Sequence, residues 1–267
     1  MSRVKLYLQL ILIQLQSMME YRAVFLFGAV AQALAYGAHF LLIWVMVNKF
    51  DGIAGWSPYE VTLLYGLNLF SYSTAGIFCL NSFYGLGGMI RSGEFDNVLT
   101  KPLNPFLLIS FRQFNYGYFS HLSLSGFVIA LSWARLEIPV TGTNLLFLLV
   151  TLVSGALIQA AMFIFTGVPA FWIVRSEGLA EILMWDVGYF VRYPITVYNS
   201  GIQILLTLIV PYAFVSFYPV QFFLAKNDVC MFHPVFRFLS PVVGAAMFAA
   251  AYRFWRFGLD RYESTGS

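Results

Sequence analysis

Charge is what this chain most lacks. Asp, Glu, Lys and Arg make up only 10% of its 267 residues, where soluble domains carry about 25%. That shortage excludes an ordinary soluble globular domain and places the chain in the membrane class. Cysteine is almost absent as well. Cys79 and Cys230 make neither a metal site nor a disulfide framework. Both sit in or beside apolar runs and read as small buried hydrophobes. No G-x-x-x-x-G-K-[ST] phosphate loop occurs, since none of Lys5, Lys49, Lys101 and Lys226 follows a glycine. H-E-x-x-H, C-x-x-C and G-x-S-x-G are missing too. The carboxylates are spread over loops and span ends, with no pair inside an apolar run. A proton-coupled carrier needs ionisable groups within its spans, and this chain offers little beyond His39 and His121. It therefore reads as no enzyme, with no metal and no cofactor of its own. The net charge of +3 is small, and the basic residues stand at the ends of apolar runs rather than in a stripe, which argues against nucleic-acid binding. No N-x-[ST] glycosylation acceptor occurs, in keeping with a bacterial source. The first residues do not resemble a cleaved signal peptide, because glutamines interrupt their apolar pattern and no small-residue cleavage site follows.

What the chain has is long apolar runs: 60% of it is hydrophobic. Its length suits six crossings of about 20 residues each, with no room for a further soluble domain of ordinary size. The reading is an all-α membrane protein, a single transmembrane domain over 1–267, with spans at about 23–47, 61–80, 116–134, 145–174, 202–225 and 238–254. Before them, Val4, Leu8, Ile11, Leu15 and Met18 recur at helical spacing among Gln9, Gln14 and Gln16. That pattern fits an N-terminal helix over 1–22 lying in the membrane interface; an extension of the first span also fits it. In the first span Ala29, Ala33 and Gly37 repeat every four residues. Small residues so spaced form a packing or dimer face between helices, or reflect plain alanine content. His39, inside the same run, either faces a pathway or bonds to a neighbouring helix. Asn68, with Ser71, Ser73 and Thr74, makes the second span polar enough to face protein or a cavity. Residues 175–200 read as a second amphipathic surface helix, with Tyr189, Tyr193 and Tyr198 at headgroup depth. Pro211 and Pro219 divide 202–225 into a crossing helix and a shorter re-entrant piece. Pro169 kinks or ends the fourth span. Residues 258–267 form a polar tail.

The most polar interruption runs over 87–105. Arg91, Glu94, Asp96 and Lys101 fall within it, and unsatisfied polar groups in hydrocarbon cost several kcal/mol, so this stretch stands in water or against protein. Gly85, Gly87 and Gly88 are expected to break the preceding helix. A short helix over 94–99 follows, with Ser92 as a candidate cap. Lys101-Pro102 and Asn104-Pro105 end it, and 106–115 reads as another interfacial segment. With six spans and residue 1 inside, Arg3, Lys5, Arg22, Arg91, Lys101, Arg112, Arg175, Arg192, Arg253, Arg256 and Arg261 fall inside. Lys49, Arg135, Lys226 and Arg237 fall outside. That is a clear positive-inside bias. It puts both termini, 87–105 and 175–200 in the cytoplasm, and separates Cys79 from Cys230.

The run E-F-D-N-V-L-T-K-P-L-N-P (residues 94–105) resembles the inner-loop signature of bacterial ATP-binding-cassette permeases of the second export class. The segments P-Y-A-F-V-S-F-Y-P (211–219) and G-L-D-R-Y-E-S-T-G-S (258–267) are similar to that group's endings. The resemblance implies an interfacial N-terminal helix, six spans, a cytoplasmic coupling helix after the second span and a re-entrant hairpin before the last. It implies a working unit of two permeases, identical or homologous, and two cytoplasmic ATPase subunits that hold the ATP and Mg. It also implies a location in the bacterial inner membrane and an export direction. The coupling element maps to 91–102. Arg91, Glu94, Asp96, Lys101 and Pro102 would be its contacts to the ATPase, with Phe95 and Leu99 as its apolar anchors. A solvated loop with a helix cap is the plainer alternative for these residues. An ATP-independent channel or membrane scaffold is the alternative for the whole chain.

Overall fold

The computed structural model describes residues 3–20, 22–49, 52–173, 178, 181–182, 187–226 and 231–263. Among the described residues the only strand-like pairing is a single bridge between Ile53 and Trp56; the rest is helix and turn. The main helices are α1 (Arg3–Glu20), α2 (Arg22–Lys49), α3 (Pro58–Ala75), α4 (Asn81–Tyr84), α5 (Leu86–Arg91), α6 (Glu94–Leu99), α7 (Pro105–Arg112), α8 (Tyr118–Arg135) and α9 (Gly142–Gly167). They are followed by α10 (Val187–Phe190), α11 (Ser200–Ile204), α12 (Phe217–Phe223) and α13 (Ser240–Leu259).

By length and composition, two described helices can cross a membrane: Pro58–Arg91 and Gly142–Phe171. Ser200–Ile209 and Tyr212–Phe223 qualify together, as two arms bent by 76°. The division of 202–225 at Pro211 is thus visible as a sharp bend. α2, α8 and α13 occupy the stretches expected as the first, third and last spans. α9 passes at Gly167 into a 3-10 turn over Val168–Phe171 that contains Pro169.

The second rod differs from expectation. It does not stop near residue 80 or break at the glycines; it runs 34 residues to Arg91. Its start is fixed by Pro58 at the first helical position and by Glu60, whose Oε2 accepts from the Ser57 N–H at 2.7 Å. It then passes through a π-helical turn, Gly76–Leu80. At Gly85 the backbone ladder stays closed, with Gly85 N donating to Asn81 O at 2.9 Å and Met89 N to Gly85 O at 3.1 Å. Glycine weakens a helix by about 1 kcal/mol, which is too little to break one held by packing on its neighbours.

Close approach of helices is carried by glycines that the sequence pattern did not single out. A Cβ on Gly167 of α9 would overlap the Phe83 carbonyl. A Cβ on Gly244 of α13 would stand 2.8 Å from Ser154 O of α9, and one on Gly66 of α3 2.9 Å from Ile129 of α8. Gly37 of α2, by contrast, has nothing within 4 Å of a built Cβ. The side chains of Ala29, Ala33 and His39 lie outside the described residues.

Two apolar cores result. One gathers Trp56, Tyr65, Trp133, Tyr212, Phe217 and Tyr218 around the 52–57 loop and the bent pair. The other gathers Phe83, Phe95, Phe106, Phe163 and Trp255 around α6, α7 and the end of α13. α1 leans on α7: Tyr7 and Phe111 have ring centroids 5.3 Å apart, and Asn104 N donates to the Tyr7 hydroxyl at 3.2 Å. Much of 175–200, and Cys230, fall outside the described residues. In the part of that segment that is described, Val187, Val191 and Ile195 are buried in the first core, while Ile182, Tyr189 and Val197 are exposed.

Candidate functional site

The site is built on α6. Its entry residue is Gly93, at φ +70°, a left-handed turn that glycine adopts without a Cβ penalty. Ser92, the expected cap, does not cap; its hydroxyl donates back to Met89 O at 3.3 Å. α6 ends at Leu99. Lys101-Pro102 then turns the chain, and the Asn104 Oδ1 accepts from Leu107 N at 3.4 Å to open α7.

With only six residues and no side-chain cap, α6 is below the length at which a helix holds itself. Tertiary contacts hold it. Phe95 is fully buried, edge-on to the rings of Tyr262 at 5.0 Å, Phe171 at 5.4 Å and Trp255 at 6.2 Å. Glu94 pairs with Arg112 of α7 at 2.7 Å. Both of those side chains are about two-fifths exposed, so the pair contributes at most about 1 kcal/mol. Asp96 Oδ1 accepts from the Tyr262 hydroxyl at 3.0 Å. Burial first, and then that bond to the Asp96 carboxylate, push the Tyr262 phenol up to about 12. It is therefore a proton donor at any physiological pH.

This geometry corrects one expectation. Phe95 is not an anchor presented to a partner; it is the wedge that fixes α6 to its own chain. The reason is helical spacing: Phe95 and Val98, three apart, share the inward face and are fully buried. Leu99 falls at the edge and is 39% exposed. Arg91, Leu99, Lys101 and Pro102 are exposed, and Glu94 and Asp96 are half-buried. A cavity of about 270 Å³ lies beside them, lined by Gly87, Arg91, Phe171, Trp172, Tyr262 and Glu263 among others.

The other expected positions are not brought here. Asn68 of α3 accepts from Gln159 Nε2 of α9 at 3.1 Å, tying two helices together. His121 is buried on α8, with its ring 5.1 Å from that of Tyr118. Sequence reasoning missed the bond between Tyr262 and Asp96, and also the ion pair between Glu60 and Lys226, 2.7 Å apart. A signal for the second was available: the six-span count places both residues at the same end of the molecule.

α6 is thus a short helix wedged by an aromatic residue, with a charged and partly apolar outer edge left exposed. No curated protein and no solved structure matches the chain. A family profile described as ABC-2 family transporter protein matches residues 33–266, nearly the whole length, and this chain belongs to that family of membrane transport proteins.

Proposed function

We propose that the chain is the permease subunit of an ATP-driven exporter and that α6, with 99–102, docks on a separate cytoplasmic ATPase. The observation that carries this reading is the build of α6 in a chain of the ABC-2 transporter family. The helix is wedged from inside by Phe95 and leaves Arg91, Leu99, Lys101 and Pro102 exposed at its edge. The reach of the preceding rod supports it. Thirty-four helical residues extend about 50 Å at 1.5 Å each, against a hydrocarbon core of about 30 Å. The last turns of that rod, and α6 after them, would then stand clear of the bilayer.

In this reading the spans are α2, the rod Pro58–Arg91, α8, the rod Gly142–Phe171, the bent pair and α13. α1 lies in the interface. Both termini face the cytoplasm of a bacterial cell, by the bias of basic residues toward that side. Two such permeases, identical or homologous, and two ATPase subunits make the working unit, with ATP and Mg held by the ATPase. The face of α2 that carries Ala29, Ala33 and Gly37 is the candidate permease contact, and His39 and Asn68 are candidate pathway residues.

Force would pass inward through Phe95. The ring touches Trp255 of α13 and Phe171 at the end of the α9 rod. Closure of the ATPase pair that pushes α6 would therefore move the ends of two spans together, a rigid-body switch. The test is copurification. Leu99→Glu with Lys101→Glu should abolish recovery of the ATPase subunit from mild detergent while the permease stays monodisperse. Full recovery of the ATPase with that variant would overturn the docking reading and favour an ATP-independent channel or scaffold.

A further inference from the structure

The polar tail that follows α13 is the less obvious half of the site. Gly258, on the last turn of α13, lies so close to Phe171 that a Cβ would stand 2.5 Å from a ring carbon. Only glycine lets α13 press on the turn that ends the α9 rod. The chain then turns back, with Arg261 N donating to Gly258 O at 3.2 Å and Tyr262 N to Leu259 O at 3.2 Å. That turn brings the Tyr262 ring against Phe95 and Phe171, with centroids at 5.0 and 5.8 Å. Its hydroxyl reaches Asp96 at 3.0 Å. The G-L-D-R-Y run thus has a mechanical sense: the glycine sets the approach, the turn reverses the chain and the tyrosine lands on α6.

We propose that Tyr262 is a positioning residue, which pins α6 in the orientation that the ATPase recognises and so makes the segment after the last span part of the docking device. This rests on the reading of α6 as the docking element. α6 needs such a pin. Burial of Phe95 and Val98 holds the helix against the core but sets its roll only loosely, because apolar packing is not directional. The Glu94–Arg112 pair is exposed and weak. The bond from Tyr262 to Asp96 is directional and charge-assisted, on the residue next to Phe95, and it therefore fixes the roll. Tyr262 and Glu263 also line the cavity that Arg91 and Trp172 line. The tail and the end of α5, just before α6, thus share one cavity.

The experiment has two arms, each with Tyr262→Phe, which keeps the ring and removes the donor. In the first, the permease alone in nanodiscs is followed by hydrogen exchange. Amides of 94–100 should exchange about tenfold faster than in the unmodified chain, while those of α9 are unchanged. In the second, the purified ATPase subunit is titrated onto the nanodiscs. Tyr262→Phe should weaken its binding about five- to tenfold, from the loss of a hydrogen bond to a charged group. Asp96→Ala should weaken it similarly, and the double variant no further, because the two residues act as a unit.

Unchanged exchange over 94–100, unchanged binding, or additive effects of the two substitutions would each overturn the proposal. Leu99→Glu separates its failure from that of the docking reading. If Leu99→Glu weakens binding and Tyr262→Phe does not, docking stands and the pin fails. If neither weakens it, both fail.

Discussion

Lys226 bridges the end of the bent pair to the start of the second rod: its ammonium lies 2.7 Å from the Glu60 carboxylate and 2.8 Å from the Gly55 carbonyl. It also sits 4.6 Å from the centroid of the fully buried Trp56 ring. Glu60 simultaneously accepts from Ser57 N, so one carboxylate caps a helix and holds a cation. Lys226→Met keeps much of the stem's packing and removes the charge. It should lower stability by about 1–3 kcal/mol, the cost of leaving a largely buried charge-assisted bond unmade. Thermal unfolding in detergent, followed by tryptophan fluorescence, checks it. An unchanged midpoint would show that the pair is ornamental.

Gly167 offers a steric test of the core. A Cβ there meets the Phe83 carbonyl, which is backbone and cannot swing aside. Gly167→Ala should cost about 1–3 kcal/mol through forced separation of α9 from the second rod. Gly126 of α8, with nothing within 4 Å of a built Cβ, is the control. Gly126→Ala should leave the unfolding midpoint unchanged or raise it slightly.

Phe95 and Leu99 are separable, although they are neighbours on one short helix. Phe95→Ala removes a fully buried ring and should destabilise the permease by about 3–5 kcal/mol. Leu99→Ala, at a 39% exposed position, should leave the permease's stability within about 0.5 kcal/mol and weaken ATPase association. Unfolding curves of the permease alone, set beside pull-down of the ATPase, give both readouts. A Phe95→Ala chain as stable as the parent would contradict the wedge.

Asn68 and Gln159 share a hydrogen bond at 3.1 Å between α3 and α9. Asn68→Leu removes it and should cost about 1 kcal/mol, the usual scale for a polar contact between helices in lipid. The midpoint shift in nanodiscs measures this. No shift would point to a solvated asparagine, as expected beside an aqueous path.

Most of the helical plan was legible because it rests on long apolar runs and on prolines. Pro211 marks the 76° bend, and Pro169 marks the end of α9. The short helix at 94–99 was legible because Lys101-Pro102 stops it. The glycines at 85, 87 and 88 misled because breaking power is a local property. Whether a glycine breaks a helix depends on the packing around it, and here the rod is held against α9. Phe95 misled for a related reason: a phenylalanine in a polar loop has the same letter whether it faces a partner or its own core. The contact of Tyr262 with Asp96 joins residues far apart in sequence, and neither has a periodic or spacing signal that names the other.

The central claim, that the edge of α6 docks on a nucleotide-hydrolysing subunit in the cytoplasm, is tested most directly by a photoreactive benzoylphenylalanine placed at Leu99 in intact cells. The account predicts one dominant cross-link, to a subunit that carries a phosphate-binding loop. A cross-link confined to lipid or to an exterior protein, or none at all, would contradict it.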